Sequence, residues 1–129
     1  MAQPAIRNEV QLAPHSRPLR PVDLVHLAKQ CLGDENLERE VLRLFDTTLE
    51  TYLSRLRLAQ AADELLLTVH SIRGAAAGVG AWAVAEQARA MEFDVRDGRP
   101  LKPEQIEDLS MVIEEVRDFI RRMLASEEA

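Results

Sequence analysis

The chain has 129 residues, enough for one compact core and too few for two comfortable domains. Its 16 lysines and arginines against 22 acidic residues leave a net charge of −6, without the clustered cations that phosphate neutralisation needs, which argues against a nucleic-acid binder. Cys31 is the only cysteine, so an intramolecular disulfide and a multi-thiolate zinc site are both excluded, and the expected setting is the cytoplasm.

Residues 1–21 hold four of the six prolines, Pro4, Pro14, Pro18 and Pro21, and lack hydrophobic periodicity. They are expected to form a mobile arm ahead of a helical domain over 22–129, with Arg7, Arg17 and Arg20 against Glu9 giving it mild positive charge. The arm has no apolar stretch of signal-peptide type, and no run of about 18 apolar residues occurs anywhere, so a soluble protein without a membrane segment is expected.

From Val22 an apolar residue recurs every three or four positions. "PVDLVHLAKQCLGD" predicts a short helix closed by Gly33 in a left-handed conformation. Asp34 then caps a long helix whose expected inward stripe is Leu37, Val41, Leu44, Phe45, Thr48, Tyr52 and Leu56. A third helix begins near Asp63 and buries Leu65, Val69, Ile72, Ala76 and Val79 until "GVGA" breaks it. The fourth runs from about Trp82 to Arg96 with Ala85, Ala88, Met91 and Val95 inward, and "DGRP" stops it. Pro103 suits the first turn of a fifth, whose stripe is Ile106, Leu109, Ile113, Val116, Ile120 and Met123. No segment alternates with period two. The expected fold is all-α, an antiparallel up-and-down four-helix bundle with the short first helix capping one end.

Within the third helix, "HSIRGAAAGVGA" places a glycine in a helix interior, at a cost of about 1 kcal/mol relative to alanine. At 100° per residue, Leu66, Gly74 and Ala77 lie within about 40° of His70, with Arg73 and Leu67 about 60° to either side. A face with a histidine, a cation and a missing side chain is shaped for close approach by a partner. Leu67 is either part of that docking surface or a packing residue against the first helix. If the third and fourth helices fold back about Ala81, His70 is eleven residues before the turn and Glu92 eleven after, which sets them at the same height. A carboxylate there accepts from the imidazole Nδ1–H and leaves Nε2 unprotonated as a positioned nucleophile. Once a phosphoryl group is on Nε2, the Arg73 guanidinium stabilises its oxygens.

The segment "HSIRGAAAGVGAWAVAEQARAME" resembles the histidine-containing phosphotransfer domain of bacterial phosphorelays, and "VDLVHLAKQCLGDENLEREVLRLFDTTLETYLSRL" is similar to bacterial members too. The resemblance implies that His70 carries the phosphoryl group, Gly74 makes room for the partner and Glu92 orients the ring. It implies receiver domains and a hybrid sensor kinase as partners, with Mg²⁺ and the acidic pocket supplied by the receiver and no cofactor bound by this chain. Arg73 stands where the family commonly has lysine, keeping the charge while enlarging and flattening the donor. The absence of a glycine-rich nucleotide loop predicts that the protein does not itself use ATP, and its own set of four long helices, which needs no second copy to close a core, predicts that the phosphotransfer intermediate implied by the resemblance is a monomer. Two rival readings are a sensor-kinase dimerisation and phosphoacceptor domain, and a helical adaptor without chemistry. For His15, in the arm, and His26, on the first helix, no function is expected. Asp23 and His26 have the spacing of a bundle metal motif, but one such motif does not make a metal centre. Trp82 is read as core or end-cap, and Glu107, Glu114, Glu115 and Asp118 as a solvated face.

Overall fold

The computed structural model describes residues 20–128, and the arm expected over 1–21, with His15, lies outside the described residues except for Arg20 and Pro21. Five helices follow in order: α1 (Leu24–Gln30), α2 (Glu35–Leu58), α3 (Ala62–Val79), α4 (Trp82–Arg96) and α5 (Pro103–Glu128). No strand occurs among the described residues. The boundaries follow from local chemistry. Asp23 and Asp34 accept from the amides of His26 and Leu37, both at 3.1 Å, as N-caps of α1 and α2. Glu64 reaches back to the amides of Gln60 and Ala61 at 3.3 and 3.2 Å, tying down the start of α3 where Ala61 has no side chain to do so. Gly33 takes the left-handed conformation expected of it, φ +77°, and Leu32 before it does so as well at +55°.

The four long helices form a closed ring in which α2 packs on α3 and α5, and α4 packs on α3 and α5. Short connections force neighbours to run antiparallel. Across the α2–α5 seam, Arg117 Nε donates to Asp46 at 2.7 Å and Arg57 sits 3.4 Å from Glu107, pairings that fit opposed directions. The core comprises Leu42, Leu49, Leu56, Val69, Ile72, Ala76, Val84, Ala88, Met91, Leu109, Ile113 and Ile120, all essentially without exposure. Glu107, Glu114, Glu115 and Asp118 lie on the solvated side of α5 as predicted.

The inward stripe of α2 differs from its prediction. Leu44 is exposed and Leu37 half out, whereas Leu42, Phe45, Leu49, Leu53 and Leu56 are buried. The helix carries leucines on more than one face, and the 3–4–4–3 spacing that wins is the one that keeps a single seam turned towards both α3 and α5. In α4, Val84 replaces the expected Ala85 and Val95 at the centre, both of which are half-buried.

The short α1 caps the bundle end formed by the α3–α4 turn. Gly80 closes α3 at φ +93°, a conformation only glycine adopts without strain, and its carbonyl accepts from the Asp23 amide at 2.9 Å. A Cβ at Gly80 would lie 3.1 Å from both Asp23 Cβ and its carbonyl oxygen and 3.2 Å from His26 Cδ2. Trp82 donates from Nε1 to Asp23 Oδ2 at 3.0 Å and meets the His26 ring edge-on, with centroids 4.9 Å apart. Trp82 is therefore an end-cap, and His26 packs within that cap. The Trp82 hydrogen bond, then the His26 amide, hold the Asp23 carboxyl below its ordinary value.

Candidate functional site

His70 lies midway along α3, and the two-residue turn at Gly80 and Ala81 brings α4 alongside it. The equal count on either side of the turn puts Glu92 opposite, as predicted: His70 Nδ1 is 2.8 Å from Glu92 Oε2. The two side chains differ in exposure. The imidazole is 51 % exposed and the carboxylate 6 %.

A buried carboxylate needs partners, and Glu92 has three cationic or donor groups around it. Besides His70, Arg96 donates to Oε2 from Nη2 at 2.9 Å and from Nε at 3.2 Å, and Arg73 Nε stands 2.7 Å from Oε1. Burial pushes the Glu92 carboxyl up, but the hydrogen bonds from His70 and Arg96 and the Arg73 charge outweigh it, holding the group below its ordinary 4.5. It is therefore an anion at neutral pH.

That charge decides the tautomer. A carboxylate oxygen 2.8 Å from Nδ1 repels a ring lone pair and attracts a ring N–H, so the proton sits on Nδ1 and is donated to Glu92. Arg73 Nη2 also approaches Nδ1, at 3.2 Å, but a protonated nitrogen cannot accept from it, so this is a contact between donors held together by the shared anion. Nε2 has no protein partner among the described residues and, in the neutral ring, carries the free lone pair.

The other predicted site residues fall on or beside this face. Gly74, one turn beyond His70, is exposed, and a Cβ there would meet nothing within 4 Å. Leu66 and Ala77, on the same side of α3, are half-buried. Leu67 is 67 % exposed and lines a groove between α2 and α3 with Tyr52, Arg55, Leu58, Thr68 and Ser71. It does not pack on α1, which sits at the opposite end of α3. Sequence reasoning missed Arg96. The available signal was its position four residues after Glu92 on one helix face, the spacing of an ion pair. It also left Arg73 standing free one turn from the histidine, whereas the guanidinium lies against Glu92.

The arrangement offers an exposed ring nitrogen whose opposite nitrogen is fixed by a buried anion, with guanidinium charge beside it. Among the described residues no group of His, Cys, Asp or Glu is placed to hold a metal ion, and no helix is long and apolar enough to cross a membrane.

No curated protein matches the chain. Among solved structures, the HPT domain of a sensor hybrid histidine kinase from Shewanella, determined at 1.80 Å, superposes with a TM-score of 0.74. It shares 18 % identity over 84 % of this chain and 97 % of that one, which establishes a common helical-bundle fold. The model of the Hpt domain family matches residues 40–123, from the second turn of α2 through most of α5, with His70, Arg73, Glu92 and Arg96 all inside the match. With the bundle, the oriented histidine and this match in agreement, the chain belongs to the Hpt family, the phosphotransfer-type domains of two-component signalling.

Proposed function

We propose that this protein relays phosphoryl groups between receiver-domain aspartates through a phosphohistidine on Nε2 of His70. The observation that supports it most is the 2.8 Å contact of Nδ1 with a buried carboxylate on a ring that is itself half in solvent. In the forward step, the Nε2 lone pair attacks the phosphorus of an aspartyl phosphate. The P–O bond to the aspartate breaks, its carboxylate leaves, and the ring keeps its Nδ1 proton and becomes an imidazolium. Glu92 lies beside that new positive charge. Transfer to a second receiver aspartate reverses these changes.

In this reading Glu92 orients the ring, Arg73 supports the phosphoryl oxygens, and Gly74 with Leu66, Leu67 and Ala77 receives the partner. The open space at Gly74 favours the last point, since no neighbour among the described residues calls for a glycine there. Mg²⁺ is assigned to the receiver, because the residues around His70 are basic and present one carboxylate already held by two arginines. A hybrid sensor kinase is the expected source of phosphoryl groups and the cytoplasm the expected site of action. The working unit is a single chain: its own four long helices fill the core, with Leu49, Ile72, Met91 and Ile113 each at 0 % exposure. A stable dimer in sedimentation would instead favour a dimerisation and phosphoacceptor domain.

Incubation with a phosphorylated receiver tests the reading. It predicts an acid-labile, alkali-stable label on this protein that is lost in His70→Gln. Undiminished label in that variant, or none on the native chain with any receiver of its source organism, contradicts it and leaves the adaptor reading.

A further inference from the structure

Two arginines share one carboxylate at this site, and they hold it differently. Arg96, on the same helix as Glu92, directs both Nε and Nη2 at Oε2 with hydrogen-bond geometry. Arg73, on the neighbouring helix, brings Nε to 2.7 Å from Oε1, yet that buried Nε makes no aligned hydrogen bond. Arg73 is thus held by charge, Arg96 by charge and direction. Arg73 also lies at the ring edge, with Nη2 3.2 Å from Nδ1, whereas no contact joins Arg96 to the ring. We infer that Arg96 is the positioning residue of the site: it keeps Glu92 aimed at His70, so that Arg73 is free to leave the carboxylate for the phosphoryl oxygens once Nε2 is phosphorylated.

The charges favour such an exchange. In the nucleophilic form of the ring, before transfer, the Glu92 anion faces two guanidinium groups and a single ring N–H. Attack by Nε2 converts the ring to an imidazolium whose Nδ1–H still points at Oε2, so a second cation beside Glu92 becomes redundant as a dianionic phosphoryl group appears next to Arg73. Arg73 exchanges one anion for another, and Arg96 with the imidazolium retains Glu92. A single arginine could not do both jobs, because withdrawing it would leave a carboxylate that is 6 % exposed without its fixed donor.

The exchange rests on the phosphohistidine reading, but the positioning role does not, and the tests separate the two. Nitrogen-15 spectra of the histidine ring in the unphosphorylated protein need no phosphoryl donor. They are expected to show the Nδ1–H form of His70 predominating in the native chain, a mixture with the Nε2–H form in Arg96→Ala, and recovery in Arg96→Lys. Because the Arg96 side chain is 57 % exposed, loss of fold does not account for such a change, and an unchanged melting temperature checks this. Phosphoramidate then serves as a small donor that labels the histidine without a docking partner. On labelling, the Nε resonance of Arg73 is expected to move while that of Arg96 stays, and Arg96→Ala should label about fivefold more slowly. An unaltered tautomer in Arg96→Ala overturns the positioning role, and an Arg73 resonance that does not move on a phosphorylated His70 overturns the exchange. Failure of the native chain to take label from both phosphoramidate and receivers counts against the phosphohistidine reading, with the tautomer spectra still deciding the role of Arg96.

Discussion

The molecule holds two histidines on described helices, each beside a carboxylate and a glycine, and they serve opposite purposes. At the α3–α4 turn, His26 packs edge-on against Trp82, Asp23 is consumed as a helix cap and as acceptor for Trp82, and Gly80 is favoured because φ is +93° and Asp23 and His26 crowd the position of a Cβ. One side of the same helix pair further along, His70 stands half in solvent, Glu92 spends its charge on the ring and two arginines, and Gly74 is in ordinary helical backbone with empty space above it. In the first constellation the carboxylate and the glycine are accounted for within the chain, and His26 Nε2 is buried without a hydrogen-bond partner among the described residues. In the second, an exposed ring nitrogen and a patch of bare backbone have no partner among the described residues, and that difference in exposure is what supports the proposed docking of a partner.

Substitutions sharpen the contrast. The largest effect is expected for Gly74→Gln, which should slow transfer from a phosphorylated receiver by roughly a hundredfold or more through bulk at the docking face, while urea unfolding shows stability kept or slightly raised. Unimpaired transfer would break the claim that the glycine serves a partner. Gly80→Ala should behave in the opposite sense and lower stability by roughly 1–3 kcal/mol, because alanine is strained at positive φ and crowds Asp23 and His26. A neutral result in urea unfolding would remove the distinction between the two glycines.

Glu92→Ala is expected to slow transfer on the order of tenfold without abolishing it, the loss typical of removing the group that orients a histidine. The carboxyl also carries a signature in pH. Its folded pKa is depressed below 4.5, so the stability it contributes is present above that ordinary value and is lost as pH falls through the folded one. Glu92→Gln should flatten this acid limb of the stability profile, and an unchanged limb would contradict the ionised, multiply bonded state described here. The smallest effect is that of Trp82→Phe, which keeps a ring against His26 but removes the donor to Asp23. It should cost about 1 kcal/mol and let the Asp23 carboxyl titrate closer to its ordinary 3.8, as carboxyl NMR can follow.

Helix ends and the His70–Glu92 pairing were legible because they depend on local chemistry and simple counting. Asp34, Gly33 and Pro103 carry their positional meaning alone, and a tight turn between two straight helices fixes which residues meet. The stripe of α2 was not legible. Leu37 and Leu44 compete on equal terms with Leu42, Leu49 and Leu53 until the positions of α3 and α5 choose among them. Nor could sequence foresee that Trp82 would reach Asp23, 59 positions away, or that Arg73 would lie against Glu92, since both depend on where separate helices come to rest. Arg96 lay within reach of a search for ion pairs four residues apart, and its importance emerges only once Glu92 is known to be buried.

The central claim concerns one atom: Nδ1 is occupied by an anion, so chemistry takes place on Nε2. Nitrogen and phosphorus NMR of the protein after transfer from a phosphorylated receiver reads that atom directly. Phosphorus bonded to Nε2 of His70, with the proton retained on Nδ1, is the predicted spectrum; phosphorus on Nδ1, or on any other residue, would contradict it.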